Sequence, residues 1–117
     1  MKLSEIRDIL DAEVLVGEDQ MDESVFGGGG ADIMDDMLSA VAKGSVFMTG
    51  LNSEQVIRTS KIAEVSAVVF VRGRIPDEDV LKLAESYNLP ILTTKYSMFV
   101  ASGRLYMNGL RGLDGSW

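Results

Sequence analysis

Between Ser45 and Thr94 the chain alternates short apolar runs with stretches of helical period. SVFMT (Ser45–Thr49), AVVFV (Ala67–Val71) and PILTT (Pro90–Thr94) are β-branched and aromatic with little polar alternation, the pattern of strands buried on both faces of a parallel sheet. Each run leads through a short turn into a predicted helix. Gly50-Leu51-Asn52 turns the first, and Ser53 caps a helix from Glu54 to about Ala63. After the second, Pro76 presets φ for a helix over Asp77–Tyr87, with Asp77, Glu78 and Asp79 on its positive end and Asn88 closing it. The third leads into a helix opening at Lys95 or Tyr96 and running to about Met107, where Asn108-Gly109 ends it. Its expected buried face is Met98, Phe99, Leu105 and Tyr106. Three strand–helix pairs with short loops predict an α/β layer with right-handed crossovers.

The amino-terminal third is less regular. Ser4 suits the N-cap of a helix through Asp11, with Leu3, Ile6, Ile9 and Leu10 on its apolar side, and Glu13–Gly17 reads as a short strand. The acidic run Glu18–Glu23 reads as a solvated loop. Gly27–Gly30 reads as a flexible connection. It resembles a phosphate-cradling loop only in its glycines, with neither Lys-Ser/Thr nor GxGxxG spacing. Ala31–Lys43 has amphipathic helical spacing through Ile33, Met34, Met37, Leu38 and Val41, ended by Gly44. Asp32, Asp35 and Asp36 near its start read as capping carboxylates, since one helical turn supplies too few convergent oxygens for a divalent metal. The seven Met residues read mostly as core fillers.

Length and composition fit one domain, residues 1–117, with a patternless tail over 110–117 that is either frayed or pinned by Trp117. The net charge of −7 argues against nucleic-acid and anionic-membrane partners. The start of the chain has no secretory pattern and no apolar run reaches membrane-spanning length, so a cytoplasmic location is expected. Cys and His are both absent. That removes Cys/His zinc sites, redox dithiols, Cys nucleophiles and His bases, and no cofactor is expected. Without His, a Ser or Thr nucleophile has only Lys95 or a carboxylate as base, and an enzyme is not expected.

A parallel sheet brings its strand ends to one edge. Thr49, Gly50, Asn52 and Ser53 come there from the first loop, Arg72, Gly73 and Arg74 from the second, and Thr93, Thr94 and Lys95 from the third. Three of the eleven cations gather at this edge, against the sign of the whole chain, and helix amino termini add N–H donors. The set suits a small anionic ligand such as a phosphate-bearing metabolite. The same residues also suit an interface or a solvated edge, with Arg72 and Arg74 pairing to Asp77 and Asp79 or to a second subunit.

TGLNSEQV (Thr49–Val56), VVFVRGRIPDEDVLKLAE (Val68–Glu85) and LPILTTKYSMFVASGRL (Leu89–Leu105) resemble the DRTGG domain family, and GADIMDDMLS (Gly30–Ser39) is similar to the segment before them. Aligned by these segments, the family's Asp and Arg fall on Leu51 and Asn52, its Thr on Val71, and its Gly pair on Arg72 and Gly73. Of those five letters only Gly73 is kept. The resemblance implies a three-layer α/β fold with a mainly parallel sheet, similar to the amino-terminal domain of HPr kinase. It also implies a dimeric regulatory or assembly module like those accessory to phosphotransacetylases and CBS-domain pyrophosphatases. Short free-standing relatives, similar to ones encoded near iron-only hydrogenase and sensor-kinase components, imply a protein partner in a redox or signalling complex. Two functions follow: a metabolite sensor acting at the strand-end edge, or an adaptor with no small-molecule ligand.

Overall fold

The structure is a computed structural model that describes residues 1–113. In chain order the elements are α1 (Leu3–Ile9), β1 (Glu13–Val16), β2 (Gly27–Gly30), α2 (Met34–Met37), β3 (Ser45–Thr49), α3 (Glu54–Ile62), β4 (Ala67–Phe70), α4 (Glu78–Ser86), β5 (Ile91–Thr93) and α5 (Met98–Met107). One five-stranded sheet has the order β1-β5-β4-β3-β2, parallel except where β1 runs antiparallel along β5. The sheet is therefore mainly parallel, as expected, and the amino-terminal third adds a strand to each of its edges.

From β2 to β5 the chain crosses the sheet in one direction. Right-handed crossovers that never reverse must lay their helices on a single face. Met37, Val56, Ile57, Val80 and Ala84 from α2, α3 and α4 accordingly pack with Phe47, Val68, Phe70 and Ile91. The opposite face carries Val46, Met48, Ala67, Val69 and Leu92, and α1 and α5 cover it with Leu3, Ile6, Ala101 and Leu105. With apolar side chains on both faces, β3, β4 and β5 are buried along their whole length. This makes three layers.

Gly27–Gly30 is a strand and not a flexible connection; it pairs with β3 from Gly27↔Ser45 to Gly30↔Met48. Its glycines are needed for space. A Cβ on Gly29 would run into the carbonyl of Ala40, and one on Gly30 would lie 3.1 Å from the Met98 sulfur. Close approach of neighbouring chain overrides the low strand propensity of glycine here. On the outer side the Gly28 N–H donates to the Arg111 carbonyl at 2.9 Å, and Gly28 bridges to Gly112. The tail thus lies along β2 as far as residue 113, and Trp117 lies outside the described residues.

The helix expected over Ala31–Lys43 shrinks to the single turn of α2. Asp32 is held by partners across the sheet edge, which leaves Ile33 extended, and Ser39 and Ala40 close back on Asp36 and Met37 through tight turns. α1 begins one residue before Ser4, where Glu5 accepts from the Lys2 N–H at 3.1 Å. α5 starts at Met98 with Ser97 as its cap, and it buries Ala101 and Leu105 while Phe99 and Tyr106 face outward. Arg104 fixes that rotation: its Nε donates to the Ile9 carbonyl at 2.9 Å and its guanidinium sits 4.8 Å from the centre of the Tyr96 ring. Met107 is exposed, unlike the core methionines Met21, Met37 and Met48.

Candidate functional site

The carboxyl ends of β3, β4 and β5 converge on one edge, and their loops are sewn together there. At the end of β4, Arg72 and Gly73 take consecutive left-handed conformations, with φ of 61° and 70°. This turns their N–H groups onto the β5 loop: Arg72 donates to the Tyr96 carbonyl and Gly73 to the Thr94 carbonyl, both at 2.8 Å. Left-handed φ is cheap for glycine and costs other residues about 1 kcal/mol or more. Arg72 therefore occupies a conformation that favours glycine.

Its side chain crosses the Gly50 backbone, where any Cβ would strike the guanidinium. Beyond Gly50, Arg72 Nη1 meets Asp32 Oδ2 at 2.9 Å, while Asp32 Oδ1 accepts from the Gly50 N–H at 2.7 Å. The Arg72 hydrogen bond, joined by the Gly50 amide and the charges of Arg72 and Arg74, outweighs the opposing effect of burial and lowers the Asp32 carboxyl from its ordinary value. The partner of Arg72 is thus Asp32 from the segment after β2, and neither Asp77 nor Asp79.

The other strand-end residues divide into two groups. Thr49 Oγ1 accepts from the Leu51 N–H, Asn52 Oδ1 accepts from the Asp77 N–H, and Ser53 caps α3 by accepting from Gln55. These three shape the first loop. On the other side, Gly73, Thr93, Thr94 and Lys95 line a cleft of ≈ 370 Å³. Thr93 Oγ1 donates to the Arg74 carbonyl at 2.6 Å and Thr94 Oγ1 to the Leu10 carbonyl at 2.7 Å, so both hydroxyls hold walls of the cleft. Among the described residues, neither Arg74 nor Lys95 enters an ion pair.

The position of this cleft follows from topology. From β4 the chain leaves toward α4 on one face of the sheet, while from the adjacent β5 it leaves toward α5 on the other. Where neighbouring parallel strands send their connections to opposite faces, a crevice opens at their carboxyl ends. The turn from α1 into the antiparallel edge strand β1 adds a third wall with Leu10, Asp11 and Glu13, and Ile75 and Tyr96 complete the apolar lining. Sequence reasoning missed Asp11 and Glu13, because only the Glu13↔Thr93 pairing brings the amino-terminal segment here. A larger, shallower cleft of ≈ 560 Å³ flanks β2, and among its lining residues Asp36 is charged and none is a cation. Among the described residues no three metal-ligating side chains cluster, and no helix is long and apolar enough to cross a membrane.

The model of the DRTGG domain matches residues 5–107. The chain belongs to the DRTGG domain family. Among solved structures it is similar to the CBS and DRTGG domains of the regulatory region of Clostridium perfringens pyrophosphatase, crystallised with the activator diadenosine tetraphosphate. The likeness has a TM-score of 0.68 at 22% identity and covers 89% of this chain. This chain corresponds to 45% of that one, so the fold is shared over less than half of the longer regulatory region. Among curated proteins none matches the chain. This DRTGG domain has a non-glycine residue, Arg72, beside Gly73 in the left-handed turn.

Proposed function

We propose that this DRTGG domain is a non-catalytic, cytoplasmic regulatory module that works as a homodimer and senses a small phosphate-bearing metabolite in the cleft between β4 and β5. One observation carries the reading: the cleft lies where the connections from two adjacent parallel strands diverge, and it holds Lys95 with no ion-pair partner among the described residues. Lys95 supplies positive charge for a phosphate, and Arg74, whose carbonyl accepts from Thr93, is a second cation on the adjoining loop. Arg72 joins them only by leaving Asp32. Tyr96 and Ile75 offer an apolar wall for a base or similar ring, and Asp11 and Glu13 are acceptors for hydroxyls such as those of a ribose. A nucleotide satisfies all three chemistries. The activator complexed with the pyrophosphatase regulatory region, a dinucleoside polyphosphate, supports that ligand class.

The test is a thermal-shift screen with adenine nucleotides, diadenosine tetraphosphate, acetyl phosphate, pyrophosphate and nicotinamide cofactors. A ligand at ~100 times its Kd stabilises by about 2.7 kcal/mol, which moves the midpoint of a domain this size by roughly ten degrees or more. That rise is expected for at least one nucleotide and is expected to vanish in Lys95→Ala combined with Arg74→Ala. No response across the panel would favour the adaptor reading, in which the domain docks onto a protein of a redox or signalling complex. The exposed apolar residues of α5 are the observation behind that second reading.

A further inference from the structure

The outward side of α5 is unusually apolar. Phe99 and Met107 are 88% and 86% exposed, and Val100 and Tyr106 are also open to solvent. They surround Gly103, where an added Cβ would meet nothing. Gly103 lies opposite the buried Ala101 and Leu105 on the helix, so it is the centre line of the outward face. The helix carries no acidic residue; its one cation, Arg104, is folded back onto Ile9 and Tyr96, and Arg111 lies 4.3 Å from the centre of the Tyr106 ring at the margin of the patch. The patch is on the order of 500 Å² per copy, at the upper end of what a monomer leaves exposed.

The arrangement is symmetric about Gly103. Phe99 and Met107 lie four residues to either side of it, and Val100 and Tyr106 lie three. When two identical helices pack antiparallel about a two-fold axis, a residue before the axis meets the one equally far after it on the other copy, and the contact occurs twice. An axis at Gly103 therefore pairs Phe99 with Met107 and Val100 with Tyr106. The first pair is a thioether against an aromatic ring, a favourable contact. Glycine at the crossing allows the two backbones to approach closely. The charge of −7 on each copy makes most faces repel one another, and α5 is a face without acids.

We infer that α5 is the homodimer surface, two copies packing antiparallel about a two-fold axis at Gly103. This names the surface for the dimeric half of the reading above and is independent of the ligand half. A patch of this size falls short of the ~800 Å² per partner of a standard interface. The contact therefore belongs to the small, weakly associating class.

The test is sedimentation velocity over a micromolar to submillimolar range, on wild type, Phe99→Glu and Met107→Lys. Each substitution is at an exposed position, and circular dichroism checks that it folds. Wild type is expected to associate, and each variant alone to weaken the dimer at least tenfold. An equimolar mixture of the two variants is expected to recover it, because the introduced carboxylate on one copy then faces the introduced ammonium on the other. Since the chain has no cysteine, Gly103→Cys treated with copper–phenanthroline and air, which take up the two electrons and two protons, is expected to form a disulfide-linked dimer. A monomeric wild type overturns both the surface and the dimer and leaves the face to a different protein. A dimer that persists unchanged in Phe99→Glu overturns the surface alone. Variants that are monomeric both singly and mixed overturn the two-fold register.

Discussion

Arg72 and Asp32, forty positions apart, form the ion pair that ties the segment after β2 to the loop after β4, with the Gly50 amide completing it. Both side chains remain about two-fifths exposed, so the pair is worth no more than about 1 kcal/mol. Yet Arg72 holds a left-handed backbone to make it. An unusual order of stabilities by urea unfolding is expected. Arg72→Ala keeps the strain and loses the pair, and falls below wild type by up to about 1 kcal/mol. Arg72→Gly loses the pair but removes the strain, and is expected about 1 kcal/mol above Arg72→Ala. A glycine variant no better than the alanine variant would mean that the turn is not strained.

Gly50→Ala is expected to act through the same pair. The new Cβ displaces the Arg72 guanidinium from the pair, so the substitution should destabilise by up to about 1 kcal/mol in wild type. In an Arg72→Ala background the obstacle is gone and the cost should fall. A double-mutant cycle reads the difference, and simple additivity would contradict the contact.

The depressed carboxyl of Asp32 gives a pH dependence whose sign is fixed. An unfolded Asp titrates near pH 4, and the native group titrates lower, so between the two the unfolded chain binds more protons. The stabilisation is complete above about pH 4 and is lost as pH falls through the native value. Unfolding midpoints of wild type and Asp32→Asn, followed from pH 6 down to 3, should converge at the acid end. A gap that widens on acidification would contradict the pair.

Gly29→Val tests the reading of β2. β-Branched residues favour strands, so propensity alone predicts stabilisation. The Ala40 carbonyl occupies the space, and a loss of about 1–3 kcal/mol is expected instead.

How far the sequence shows this structure depends on where each element finds its partners. β3, β4 and β5 were legible because strands covered on both faces must be apolar throughout, and helices between parallel strands must keep an amphipathic period. β2 was not, because its glycines answer to the backbone of Ala40 and the side chains of Leu110 and Met98. α5 carries apolar residues on both sides, so period alone could not say that Ala101 faces the sheet and Phe99 faces out. At the site, gathering Gly73, Thr93, Thr94 and Lys95 on one edge needed only the parallel order of the strands. Asp32 as the partner of Arg72, and Asp11 and Glu13 as walls, needed the edge strands placed.

Nucleotide sensing in the β4–β5 cleft can be read residue by residue from amide resonances of the isotopically labelled protein, titrated with diadenosine tetraphosphate and with AMP. Saturable shifts confined to Asp11, Glu13, Gly73, Thr94, Lys95 and Tyr96, and abolished by Lys95→Ala, are the predicted result. Shifts that cluster along Gly28–Ala31 instead, or none at the β4–β5 cleft with either nucleotide, would contradict the cleft as a nucleotide-sensing site.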